Sequence, residues 1–196
     1  MILPIVAYGD PVLRKVGKEI DAEYPNLNGL LENMFETMYN AQGVGLAAPQ
    51  IGLPIRLFII DATPFAEDED LQPEEQELLK DFKKVFINAK ILEENGDTWN
   101  FNEGCLSIPD VREDVSRQEK VRLEYYDENF ERHEEEFTGL AARVIQHEYD
   151  HIEGVLFTDK LSSLRKRLLK GKLANISKGK VRADYKMRFP AAKKAR

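Results

Sequence analysis

The stretch from Thr138 to Gly154 constrains this chain more than any other. Leu140, Val144, His147 and His151 follow at four-, three- and four-residue steps, so a helix here puts all four on one face. Thr138 is placed to cap its start and Gly154 to stop it. On an inward apolar stripe, two histidines without a ligand are polar groups lacking an obvious partner. The run His147-Glu148-Tyr149-Asp150-His151 is an HExxH pattern. One turn separates the two imidazoles, which can grip a single ion, and Glu148 can reach a water held on it. His147 and His151 are therefore metal-ligand candidates and Glu148 a proton-carrier candidate.

A catalytic metal site needs a third protein ligand and one open position. The supply is short: one cysteine, Cys105, and one further histidine, His133. His133 lies among Arg132, Glu134, Glu135 and Glu136 and reads as an exposed surface histidine. Cys105 lies in Glu103-Gly104-Cys105-Leu106-Ser107 and is the one soft ligand to be had. It is the favoured third ligand, against a plain buried thiol. A thiolate and two imidazoles suit zinc, iron or nickel, and residue types alone do not choose among them.

The remaining pattern sets the fold class. Leu27 to Ala41 reads as an N-terminal helix ended by Gly43 and Gly45, with Leu27, Leu30, Leu31, Met34, Phe35 and Met38 as a core stripe. Ile55 to Ile60 and Val85 to Leu92 read as strands, the second closed by a turn at Asn95-Gly96. Val121 to Tyr125 and Phe130 to Phe137 read as a hairpin with a Glu-rich polar face. Glu67 to Glu77 holds seven acids in eleven residues and reads as a surface insertion, with Pro73 opening a short helix that ends near Phe82. Ser162 or Ser163 starts a basic helix to about Ile176, followed by a basic tail. Helices and strands do not alternate, so the class is α+β. We expect antiparallel sheets around a central HExxH-bearing helix, with an N-terminal helix and a basic C-terminal helix and tail. Residues 1–165 form the expected catalytic domain; residues 166–196 belong to it or are appended.

Charge and composition exclude several classes. From Leu161 to Arg196 there are 13 Lys+Arg against the single acid Asp184, a net +12, while the first 160 residues carry −19. The basic end either folds against the acidic body or meets a polyanion. No apolar run approaches the ~18 residues of a membrane span. The apolar start lacks the basic flank and cleavage site of a secretory signal, and a lone cysteine fits a reducing cytoplasm.

Three ordered stretches together resemble the peptide deformylase family: Gly43-Val44-Gly45-Leu46-Ala47-Ala48-Pro49-Gln50, Glu103-Gly104-Cys105-Leu106-Ser107, and Gln146-His147-Glu148-Tyr149-Asp150-His151 with Ile152-Glu153-Gly154. Ile2 to Val6 and Pro11 to Arg14 are similar to that family as well. The resemblance implies that Cys105, His147 and His151 bind the metal and that Glu148 is the general acid/base. It implies that Gln50 and the Leu106 N–H hold an oxyanion and that Gly45 offers backbone contacts to substrate. It also implies ferrous iron, with zinc or nickel as substitutes, and removal of formyl from N-formyl-methionyl chains in the cytoplasm. By adjacency, Val44, Val144 and His147 are expected to wall an apolar methionine pocket. We expect a monomer, with the basic helix, including Arg165, Lys166 and Arg167, held near ribosomal RNA.

Competing classes remain at this point. An HExxH metalloprotease shares the helix, but its third ligand usually lies downstream, where this chain has no further histidine. A structural zinc domain needs a fourth ligand, which only His133 could supply. A nucleic-acid-binding module accounts for the basic end and leaves Glu148 idle.

Overall fold

The computed structural model describes residues 1–190. It is α+β, and its elements follow the apolar periodicity closely. Strand β1 (Ile5–Val6) leads to helix α1 (Leu27–Asn40), where Leu27, Leu31, Met34 and Met38 are buried as expected. The helix is stopped by Gln42 in a left-handed conformation, and the Gly43 N–H closes it on the Met38 carbonyl at 2.9 Å. Strands β2 (Gly45–Ala47) and β3 (Leu57–Asp61) pair antiparallel under that helix. β3 begins two residues later than the expected Ile55.

The largest departure concerns the next strand. Val85 to Leu92 is only the inner part of β4 (Lys83–Cys105), and Asn95-Gly96 is an irregularity within it, not a hairpin. Pairing with β5 (Ile108–Tyr126) resumes on both sides, Asn95 facing Lys120 and Thr98 facing Gln118. The outer half of this ribbon is polar and mostly exposed, so it has no apolar alternation to announce it. Its turn falls instead at Leu106-Ser107, because Cys105 pairs with Ile108. The hairpin thus delivers Cys105 to the end of a strand. β6 (Arg132–Thr138) completes a five-stranded antiparallel sheet in the order β2-β3-β4-β5-β6.

Helix α3 (Gly139–Ile152) follows β6 directly. Leu140, Ala141, Val144, Ile145 and Ile152 pack with Phe58, Ile60, Phe86 and Leu123 of the sheet. Thr138 stands at the cap position but makes no side-chain capping bond. The capping oxygen comes from helix α2 (Pro73–Leu79) in the acidic insertion, where Glu75 Oε1 accepts from the Leu140 N–H at 2.7 Å. A carboxylate satisfies the helix terminus and its dipole better than a hydroxyl. At the other end Gly154 takes φ +71°, and a Cβ there would lie 2.7 Å from the Arg14 carbonyl oxygen.

Helix α4 (Ser163–Ser177) is capped by Ser162, which accepts from the Arg165 N–H at 3.3 Å. Leu173 and Ile176 are buried with Val6, Leu13, Ile108 and Phe157, while Leu164 and Leu168 are 58% and 65% exposed. Strand β7 (Met187–Arg188) then pairs parallel with β1, so the smaller sheet is parallel where antiparallel sheets were expected. The two strands come from opposite ends of the chain, and the whole domain serves as their crossover. The tail expected over 178–196 is thus partly strand; residues 191–196 lie outside the described residues.

Candidate active site

The end of the β4–β5 hairpin faces one side of α3. One donor atom each from Cys105, His147 and His151 lies within 4.8 Å of the others. Cys105 Sγ is 3.4 Å from His151 Nε2. A tetrahedral ion with one sulfur and two nitrogen ligands sets its S···N edge at about 3.5 Å. The donor set and spacing therefore fit a divalent cation. His133 is excluded from this group by position. It contacts Asp127 Oδ2 at 2.8 Å and stacks on Tyr125, half-buried rather than fully exposed.

Electrostatics around the donors point the same way. Burial and the nearby His147 push the His151 pKa well below its usual value, which favours the neutral imidazole that a metal requires. Burial also opposes charging of His147, but hydrogen bonds with Cys105 and Glu103 outweigh it and hold its pKa well above the usual value. A cation between the donors replaces that proton. The Nδ1 atom of His151 and Oε2 of Glu148 are buried without a protein partner.

Glu103 was missed by sequence reasoning. Its Oε2 lies 2.9 Å from His147 Nδ1, which leaves Nε2 for a metal and fixes the ring. Burial raises its pKa, yet the bonds from His147 and Arg117 hold it well below the usual carboxylate range. Arg117 grips it with two bonds of 2.7 and 3.0 Å, and Arg143 Nη1 adds a third at 3.0 Å. Arg117 also binds Asp150 at 2.7 Å. Glu103 stands two residues before Cys105, but a lone acid carries no pattern. Arg143 did carry a signal: it lies four residues before His147, a charge on the buried side of α3.

Glu148 is buried, and burial raises its pKa to about 7, partly opposed by His147. A Cβ at Gly45 would lie 2.5 Å from Glu148 Oε1, so the β2 backbone approaches the carboxyl as only glycine allows. Gln50 is buried beside the donors. Its Oε1 accepts from the Ala47 N–H at 2.8 Å, which caps a turn, while Nε2 lies 3.5 Å from Cys105 Sγ and 3.4 Å from Ser107 Oγ. Val44, Gly45, Gln50, Leu106, Val144 and His147 share the lining of one cavity of about 760 Å³ with Cys105 and Glu148. His151 sits behind this lining, 1% exposed.

Three donors of mixed softness beside a buried carboxyl, opening on a cavity, have the makeup of a metallohydrolase centre. The polypeptide deformylase family model matches residues 2–167. The chain is 68% identical to a peptide deformylase of Christiangramia forsetii and 67% to one of Flavobacterium johnsoniae, each over 100% of both chains. Its fold is similar to the crystal structure of a peptide deformylase from Legionella pneumophila, with a TM-score of 0.76 and 36% identity over 93% of this chain and 99% of that one. The chain belongs to the peptide deformylase family, metal-dependent hydrolases that remove the N-formyl group from nascent peptides. Cleavage of internal peptide bonds is not favoured. Among the described residues no helix is long and apolar enough to cross a membrane.

Proposed function

We propose that Cys105, His147 and His151 hold the metal, that Glu148 carries the proton of the hydrolytic step, and that Gln50 and the Leu106 N–H bind the oxyanion. The convergence of the three donors and the unpartnered Glu148 carboxyl on one cavity carries this reading. A bound divalent cation supplies Lewis-acid polarisation and lowers the pKa of water beside it. Glu148 takes a proton from the attacking water and delivers it to the leaving amine as the C–N bond breaks, and the formyl carbon departs as formate. Gln50 Nε2 and the Leu106 N–H donate to the formyl oxygen as it gains negative charge. The Gly45 backbone holds the peptide beside that carbon. Val44, Val144 and the edge of His147 wall the methionine side chain. A formyl carbon bears only hydrogen beyond its amide, so a tight site rejects larger acyl groups by size. The reading stands or falls on metal-dependent formate release from a formyl-methionyl peptide.

The finer assignments rest on the same residues. Ferrous iron is the proposed resident ion, with zinc or nickel as substitutes, in keeping with the mixed sulfur and nitrogen donors. The free thiol and the nascent-chain substrate support a cytoplasmic setting. The shared packing of Leu173 and Ile176 with Val6 and Leu13 supports one domain reaching into the basic end.

That basic end is proposed to hold the enzyme at ribosomal RNA. Lys166, Arg167 and Lys170 are exposed beside the exposed Leu164 and Leu168. Among the described residues of α4, Arg165 is the cation that meets a carboxylate, Glu113 at 3.3 Å. The β6 glutamates Glu134 and Glu135 pair instead with Arg122, Arg132 and Lys84, which leaves Lys166, Arg167 and Lys170 available to phosphate. Reversing Lys166, Arg167 and Lys170 to Glu is expected to weaken ribosome co-sedimentation at low salt by about tenfold or more. Turnover of a free formyl peptide stays within a few fold. Unchanged co-sedimentation rejects the assignment.

A further inference from the structure

We propose that Tyr185 is a positioning residue for deformylation, holding from the C-terminal segment the Leu106-Ser107 turn that joins the Cys105 ligand to the Leu106 N–H. This rests on the oxyanion role of Leu106. The Tyr185 hydroxyl donates to the Leu106 carbonyl at 2.7 Å. The neighbouring carbonyl, that of Ser107, accepts from the Tyr8 N–H at 2.8 Å. Two consecutive carbonyls of the turn are thus tied to the flanks of the same small sheet, that of Ser107 to Tyr8, two residues past the end of β1, and that of Leu106 to Tyr185, two residues before the start of β7.

That sheet is itself fastened. The Ile5 N–H donates to the Lys186 carbonyl at 2.9 Å and the Ala7 N–H to the Arg188 carbonyl at 2.8 Å. The Tyr185 ring packs with Leu106 against the cluster that holds Ile5, Ala48 and Ile51. Arg182, Ala183, Asp184 and Tyr185 line the same cavity as Gly45, Gln50, Cys105 and Glu148. The family model ends at residue 167, so this contact is contributed by a segment outside the family's matched core.

The chemical need is plain. An oxyanion donor works only if it is aimed before the reaction begins. A two-residue turn at a strand end has few bonds of its own to aim it. The Tyr185 hydroxyl limits rotation of the peptide group that follows Leu106, and with it the orientation of Leu106 itself.

Tyr185→Phe removes the hydroxyl and keeps the ring, so the core contact survives. In the metal-loaded enzyme kcat for a formyl-methionyl peptide is expected to fall about 3- to 10-fold, the worth of one hydrogen bond. KM and the melting temperature stay unchanged, and amide exchange at Leu106 and Ser107 accelerates. Unchanged exchange together with unchanged kcat overturns the positioning role and leaves the Leu106 reading intact. Faster exchange with unchanged kcat overturns both. A fall in kcat matched by a fall in melting temperature makes Tyr185 merely structural and overturns the proposal.

Discussion

Glu148→Gln keeps the metal and loses turnover by about two to four orders of magnitude, the usual worth of a positioned proton carrier. The substitution is nearly isosteric, so the close packing of Glu148 against Gly45 is retained. Glu148 is not among the three clustered donors, and its removal leaves their spacing alone. What the amide cannot do is accept a proton from water and release it to an amine. Its buried carboxyl, with a pKa raised to about 7, is poised for that exchange near neutral pH. Metal content and kcat measured on the same preparation check the outcome. A variant that loses metal in proportion to activity makes Glu148 a ligand or a support for one, and the assignment fails.

Cys105→Ser and His151→Ala show the opposite order of events. Each removes a donor from the cluster, so metal affinity falls first and activity follows. Losing an outer-shell partner of a metal ligand costs about 10- to 100-fold in affinity, and losing the ligand itself exceeds that. Serine keeps the approximate size of Cys105 but offers a harder, more basic oxygen in place of the thiolate. His151 is 1% exposed, so alanine leaves a buried gap as well as an empty coordination position. Competition with a chelator reads the affinity directly. Full metal retention and full rate in Cys105→Ser would move the third ligand elsewhere.

Much of this site was legible because it lies on regular periodicity. The α3 stripe from Leu140 to His151 needed only the three- and four-residue steps of a buried helix face. Cys105 was legible by scarcity, as the one thiol in the chain. Gln50 and the Leu106 N–H entered through resemblance to a family, not through spacing. Three features stayed hidden for physical reasons. The outer half of β4 is held by ladder bonds to an equally polar β5, and backbone pairing leaves no mark on side-chain hydropathy. Glu103 acquires its role only when Arg117, Arg143 and His147, 14, 40 and 44 residues away, close around it. Glu75 caps α3 from 65 residues upstream, and the acidic insertion gave no local hint of that contact. Long-range pairings of charge are set by the fold, and a one-dimensional pattern does not contain them.

On the proposed assignment, a single metal ion at Cys105, His147 and His151 makes this chain a deformylase. The most direct measurement is formate release from a formyl-methionyl peptide by anaerobically purified protein, with metal identified and counted on the same sample. The expected result is iron at one ion per chain, formate release that falls to background when a chelator strips it, and recovery when iron, zinc or nickel is restored. Formate release by fully stripped protein, or a fully loaded chain that releases none, would contradict it.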